Sequence, residues 1–184
     1  MTNLDTSVSR WVFAHRVGWL THGLRFVTAL GGSAFLIPLV VVAGLELRRR
    51  RGGWAPLWFL AAAYLGAFVG NNLGKRVFGR ARPPLASRLV TATGYALPSG
   101  HAFMSAAVYG ALTLLLTRPG WPPARRRAAR VAAGGLVLAI GVSRVYHGVH
   151  WTTDVLAGWL LGLLWLRLLL ETRLGRRIRP VRIG

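Results

Sequence analysis

The sequence predicts an all-α fold: a polytopic transmembrane helical bundle with about five spans plus an N-terminal interfacial helix, or six spans if that helix inserts. Three observations predict it. Hydrophobic residues make up 53% of the 184 residues and the mean hydropathy is +0.44, more apolar than an ordinary soluble domain of this length. The apolar residues fall in runs of the roughly 20 residues that a helix needs to cross a hydrocarbon core of about 30 Å. Arginines gather between those runs instead of along one soluble face.

The first stretch differs from the rest. Trp11, Val12, Val17, Trp19, Leu20, Leu24 and Phe26 alternate with Arg10, His15, Arg16, His22 and Arg25, a mixed pattern suited to lying at a membrane interface. Residues 7–25 are therefore predicted as one interfacial helix. Residues 26–47, 54–74, 101–117, 128–147 and 152–170 are the five candidate spans, the last carrying Arg167 close enough to its end to snorkel. The spacings Gly66–Gly70, Gly70–Gly74 and Gly158–Gly162 would let helices approach closely. The first ten residues are polar and lack the apolar core of a cleavable signal peptide. The whole chain, 1–184, is expected to be one membrane-embedded domain: an interfacial segment 1–25, a transmembrane core 26–171 and a basic tail 172–184.

Charge sets the orientation. The net charge of +20 arises from 24 basic residues, of which Lys75 is the one lysine, against Asp5, Glu46, Asp154 and Glu171. Such a balance could suggest nucleic acid, but charges interleaved with apolar runs point to the lipid bilayer and its anionic head groups, with no nucleic-acid partner. If the spans alternate, Arg48 to Arg51, the group Arg118, Arg125, Arg126, Arg127 and Arg130, and the tail Arg173, Arg176, Arg177, Arg179 and Arg182 share one side. The positive-inside rule makes that side, with the C-terminus, cytoplasmic in the cell membrane. The 75–98 loop and the turn around His150 then lie on the outer, extracytoplasmic face. Cysteine is absent, so there is no thiolate nucleophile or thiolate metal site.

Three stretches on that outer side carry chemistry. Lys75, Arg80 and Arg82 lie close together, and Pro83-Pro84 stiffens the chain beyond them. A guanidinium fork beside an ammonium suits phosphate, although a basic juxtamembrane loop binding head groups has the same composition. Pro98-Ser99-Gly100-His101 stands where a loop enters an uncharged span. Ser99 can be an N-cap, the first-turn amides form an anion site, Gly100 permits close approach, and His101 faces it; a capped helix with an interfacial histidine is the plainer reading. In the stretch 143–154, Arg144 ends a span, where a phosphate would offset the cost of an unpaired guanidinium. His150 and Asp154 are four apart, so a helix starting near His150 lets the carboxylate hold one imidazole nitrogen while the other faces substrate, the orienting half of a nucleophilic triad. An Asp154 that only caps or pairs within the bundle is the structural alternative. His147, His150 and Asp154 could be metal ligands, but no further carboxylates complete an oxygen-rich cage, so no metal is expected.

Lys-x6-Arg-Pro, Pro-Ser-Gly-His and Ser-Arg-x5-His-x3-Asp, in that order, resemble the three signature motifs of the type-2 phosphatidic acid phosphatase superfamily, which shares its site with vanadium haloperoxidases and glucose-6-phosphatase. The resemblance runs residue by residue over positions 75–154. It implies that His150 attacks phosphorus to form a phosphohistidine, that Asp154 orients it, and that His101 protonates the departing group and later activates water. Lys75, Arg82, Arg144 and the Ser99 and Gly100 amides would hold the phosphoryl oxygens, the Ser99 hydroxyl adding to the cradle, and no cofactor is required. Ser143 is a local structural partner and His147 a neighbour of the site. Many bacterial members have six spans, so the chain would begin where their first span ends. The implied substrate is a lipid phosphate: phosphatidic acid, phosphatidylglycerol phosphate, or a polyprenyl phosphate or diphosphate. A lipid-binding or anionic-lipid transport protein that keeps the fold without catalysis is the alternative, and the motifs leave the oligomeric state open.

Overall fold

Apolar runs that must cross lipid can satisfy their backbone only as helices, and the computed structural model, which describes residues 2–117 and 120–178, contains eight α-helices and no strand among them. They are α1 (Asn3–Ala14), α2 (Gly18–Ala29), α3 (Ser33–Arg51), α4 (Ala55–Phe78), α5 (Gly100–Leu116), α6 (Pro123–Tyr146), α7 (Thr152–Glu171) and α8 (Arg173–Ile178). By length and composition α4, α6 and α7 can each cross a membrane; α2 and α3 make a fourth span if taken together, and α5 is apolar but shorter. Leucines and valines that would be buried in a soluble bundle face outward here. Leu160 is 68% exposed, Leu163 57% and Val69 53%, as expected where lipid is the solvent.

Two boundaries differ from the sequence expectation. The single interfacial helix expected over residues 7–25 is instead the pair α1 and α2, broken at His15–Val17. The cause is tertiary. Arg16 donates from Nε (3.0 Å) and Nη2 (2.6 Å) to the Tyr146 carbonyl at the end of α6, while the Val17 amide donates to the Tyr146 hydroxyl at 3.0 Å. The span expected over residues 26–47 is also interrupted: α2 and α3 meet at a 47° bend around Leu30–Gly32. There the Tyr109 hydroxyl donates to the Leu30 carbonyl at 2.8 Å, a side chain on Gly31 would press on an Ile140 methyl, and the His101 ring lies beside both glycines. The segment after residue 171 begins with α8, which packs on α4 and α7. Arg118, Arg179 and Arg182 of the charge count lie outside the described residues.

Close helix packing sets where the helix ends meet. The central helix α5 is flanked by α4, α6 and α7. A methyl on Gly158 would stand 2.7 Å from the Ser99 carbonyl, and one on Gly162 2.6 Å from the Phe103 carbonyl and 2.7 Å from the Ala106 methyl. On α4, Gly66 faces Trp165, Gly70 faces Phe103 and Gly74 faces Pro98. The small-residue spacings are thus seams: Gly158 and Gly162 bring α7 onto α5, while the α4 glycines meet α7 at Gly66, α5 at Gly70 and the turn before α5 at Gly74. At the end of α4, Gly79 adopts φ 56° and its amide closes on the Lys75 carbonyl at 3.1 Å, a left-handed stop that leaves Lys75 on the last turn.

The bundle has two chemically different ends. At one, the C-termini of α4 and α6 meet the N-termini of α5 and α7. At the other, Arg51 donates to the Leu115 carbonyl near the end of α5, Arg48 sits 3.5 Å over the Trp54 ring and Arg125 3.9 Å over the Trp121 ring. Arginine stacked on tryptophan suits a membrane–water boundary.

Replacing Gly162 by valine is expected to push α7 off α5 and destabilise the bundle by about 1–3 kcal/mol. Gly135→Ala in α6 meets nothing within 4 Å and should be neutral or stabilising by up to about 1 kcal/mol. Thermal unfolding in detergent measures both, and equal melting temperatures for the two variants would contradict the packing described.

Candidate active site

Asp154 lies on the first turn of α7, where the helix dipole and unpaired amides favour a carboxylate. It is fully buried. Its Oδ2 accepts from the Trp151 amide at 2.9 Å and stands 3.4 Å from His150 Nδ1, which has no other partner; its Oδ1 accepts from Arg80 Nη1 at 2.6 Å. The expected pairing of His150 with Asp154 is therefore present, by a route that differs from one shared helical face. The helix starts at Thr152, so Asp154 reaches back past the helix start to the preceding turn.

His150 Nε2 faces the other way. Arg82 Nη1 lies 3.1 Å from it and also donates to the Val149 carbonyl at 2.7 Å. The Arg82 guanidinium is itself fixed on its loop by the carbonyls of Gly94 (3.0 Å) and Thr93 (2.9 Å). Burial pushes the His150 imidazole down to about 4; the Asp154 contact works against this, and the Arg82 and Arg144 cations add to it. The imidazole is therefore neutral near pH 7, with its Nδ1 side toward a carboxylate and its Nε2 lone pair directed at a guanidinium.

The other expected residues surround this pair. Arg144, on the last turn of α6, is buried; its Nη1 donates to the Thr28 hydroxyl at 2.8 Å and its Nε has no partner. Lys75 is half-buried, and its charge acts on those of Arg82, Arg144 and Asp154. His101 feels Arg144, His150, Lys75 and Arg82 together. All eight expected residues therefore belong to one cluster, apart from two local corrections. Ser99 holds the N-cap position of α5, but its hydroxyl makes no cap bond and is buried without a partner. Its amide is already given to the Asp154 carbonyl at 3.0 Å, so this amide is not available to an anion. Gly100 is needed because a side chain there would press on Asn71 at 3.1 Å.

By composition Arg80 belongs to the basic cluster with Lys75 and Arg82, although the motif resemblance gives it no phosphate role. The structure pairs it with acids instead: besides Asp154, its Nη2 donates to Asp5 Oδ2 at 2.6 Å and its Nη1 to the Thr153 hydroxyl at 2.6 Å. Asp5, Thr28, Thr153 and Asn71 were not expected at the site. The scarcity of acids was the one signal that could have found Asp5, since a buried carboxylate needs a partner of this kind. Burial would raise the Asp5 carboxyl, but bonds from the Thr153 amide, Arg80, and the Thr153 and Thr2 hydroxyls outweigh it and hold it at about 2. His147 is buried with Nδ1 2.6 Å from the Ser143 carbonyl, and Ser143 donates to the Ile140 carbonyl at 2.5 Å, both local supports of the turn after α6. Among the described residues no three His, Asp or Glu side chains are grouped to hold a metal ion. An apolar cavity of about 400 Å³ lies on the far side of the His150 turn, lined by Val8, Trp11, Leu20, Val145, Tyr146 and Trp159 among others; none of the eight expected residues lines it.

The family model of the PAP2 superfamily matches residues 55–178. The chain belongs to the PAP2 superfamily. Its PAP2 relatives include phosphatidylglycerophosphatase B of Bacillus subtilis, 34% identical over 161 residues that cover 87% of this chain and 78% of that protein. Another is the undecaprenyl-diphosphatase of Sulfolobus acidocaldarius, 34% identical over 155 residues, 80% of this chain and 68% of that one. A crystal structure of a transmembrane PAP2 type phosphatidylglycerolphosphate phosphatase from Bacillus subtilis superposes with a TM-score of 0.87 at 30% identity, covering 97% of this chain and 87% of that one. The PAP2 chain described here is accordingly a multi-pass membrane protein.

Titration of the labelled histidine side chains by NMR should find His150 neutral down to about pH 4, well below the 6.5 of an ordinary histidine. Arg82→Gln removes a cation and should raise that midpoint; Asp154→Asn removes the stabilising anion and should lower it. A midpoint near 6.5 in the wild type would contradict the buried setting.

Proposed function

We propose that this protein is a membrane lipid phosphate phosphatase that works through a phosphohistidine on His150. The observation that carries the reading is a neutral imidazole held by a buried carboxylate on one nitrogen and aimed on the other at Arg82, within a cluster that adds Lys75 and Arg144. In this scheme His150 Nε2 attacks phosphorus while the bond to the lipid oxygen, or to the bridging oxygen of a diphosphate, breaks. His101 supplies the proton that the departing oxygen takes. Water then gives a proton to His101 and attacks the phosphohistidine, releasing inorganic phosphate and restoring the imidazole. Asp154 holds the His150 ring and balances the positive charge it gains. Lys75, Arg82, Arg144, the Ser99 hydroxyl and the amide of Gly100 neutralise charge that spreads over the phosphoryl oxygens. No step calls on a metal.

The substrate class follows from the same features and from the relatives. A phosphate cradle at the end of a membrane bundle suits a head group presented by a lipid, and the relatives named above act on phosphatidylglycerophosphate and undecaprenyl diphosphate by name. Phosphatidic acid, phosphatidylglycerol phosphate and polyprenyl phosphates or diphosphates are the candidates. The arginine clusters at the opposite end support a site on the outer face of the cell membrane, with those clusters and the C-terminus cytoplasmic. The chain is read as one domain in which residues 1–25 lie at the interface and residues 26–171 form the membrane core.

Release of inorganic phosphate in detergent, with a chelator present, from a panel of these lipids tests the proposal. The wild type should release phosphate, His150→Ala and His101→Ala should abolish turnover, and Arg144→Ala should lower kcat by about 10²–10³-fold. Near wild-type turnover in a folded His150→Ala variant, or no release from any lipid by folded wild type, would overturn it.

A further inference from the structure

Asp5 stands 148 residues from Thr153 in sequence, on the interfacial helix α1, yet its carboxylate is fully buried beside the first turn of α7. Oδ1 accepts from the Thr153 amide at 2.9 Å, Oδ2 accepts from Arg80 Nη2 at 2.6 Å, and the Thr153 hydroxyl lies 3.0 and 2.9 Å from the two oxygens. The other end of the Arg80 guanidinium holds Asp154 at 2.6 Å, and Asp154 faces His150. We infer that Asp5 is a positioning residue for the reaction: it pins Arg80 so that this guanidinium fixes Asp154, and through Asp154 the orientation and charge of His150. The inference rests on the phosphohistidine reading above.

The physical reasoning is one of shared donors. A guanidinium on a loop has many rotamers and could turn toward a bound phosphate, as its place between Lys75 and Arg82 would suggest. A second buried carboxylate on its far side removes that freedom and commits it to Asp154. The Thr153 amide and hydroxyl lock Asp5 to the residue next to Asp154, so α1 and the start of α7 move as one unit. A residue needed only to dock α1 would not have to share its arginine with the partner of the nucleophile.

The charge relation gives a readout that docking alone would not move. His150 faces Asp154 from α7, Arg144 from α6, His101 from α5 and Arg82 from the loop after α4, while Lys75 of α4 faces Asp154. Removing the Asp5 charge leaves Arg80 to draw on Asp154 alone, so His150 gains less from protonation. The acid limb of kcat/KM then moves to lower pH.

The test uses the full-length protein in detergent with the preferred lipid phosphate of the wild type. Asp5→Asn should lower kcat by about tenfold or more with KM little changed, shift the acid limb downward, and be partly rescued in Asp5→Glu. In combination with Arg80→Gln it should cost little beyond Arg80→Gln alone, because both act through one path. Should Asp5→Asn not give folded protein, Thr153→Val, which removes the hydroxyl that contacts both Asp5 oxygens and Arg80 while keeping the amide bond to Asp5, carries the same measurements. A variant with a lowered melting temperature but wild-type kcat and acid limb, or losses that multiply with Arg80→Gln, would overturn the inference. Wild type that releases no phosphate would instead overturn the function it rests on.

Discussion

A carboxylate without access to solvent, Asp154, is the constraint around which this end of the molecule is arranged. Burying an ionised group is costly unless it finds donors, and Asp154 finds them on two segments: the Trp151 amide in the turn before α7, where the His150 ring also stands 3.4 Å away, and Arg80 after α4. Its carbonyl also takes the Ser99 amide at the head of α5. Losing one partner of such a buried pair typically costs about 3–5 kcal/mol, so the same contacts that hold the His150 ring also hold the helix ends together. The geometry of the candidate site and local stability are one arrangement here.

That arrangement relies on a bundle whose helices come close, with the Trp165 indole donating to the Ala62 carbonyl and the Trp159 indole to the Val137 carbonyl along their length. In lipid there is no hydrophobic gain from pressing leucine on leucine, so glycine and alanine seams do the packing. Gly158 and Gly162 let α7 lie against the backbone of α5, and Gly74 lets α4 meet Pro98. Because the seams run to the helix ends, Ser99, Lys75 and Asp154 arrive within one cluster. The buried acids Asp5 and Asp154 both lie at that end.

The segment before α3 belongs to this site as much as to the membrane surface. Arg16 caps the carbonyl end of α6, Thr28 holds Arg144, and the bend at Leu30–Gly32 seats the His101 ring. Asp5 completes the series by joining Arg80. A mixed polar and apolar composition, which alone suggests a helix resting on head groups, here supplies partners for charges that the core helices cannot satisfy among themselves. Each of these contacts spans more than a hundred residues in sequence, apart from those to Arg80 and to the bend.

The sequence by itself determined the class of the molecule, its apolar segments and the candidate reacting groups, because lipid demands long apolar helices and phosphate suits guanidinium, ammonium and amide donors whatever the fold. His150, Asp154, His101, Arg82, Arg144 and Lys75 were legible as types at given spacings, and membership of the family follows from the same residues. Tertiary structure alone decided that Arg80 serves the acids Asp5 and Asp154. Arg80 and Arg82 are two residues apart and alike in composition, and only the approach of α1 and α7 separates them. It also decided that the Ser99 amide is spent on Asp154, that residues 7–25 break at Arg16, and that Thr28 and Asp5 reach the site. The physical reason is common to all four: periodicity and local propensity describe a residue's own helix, whereas a buried charge is settled by whichever distant segment packing brings to it.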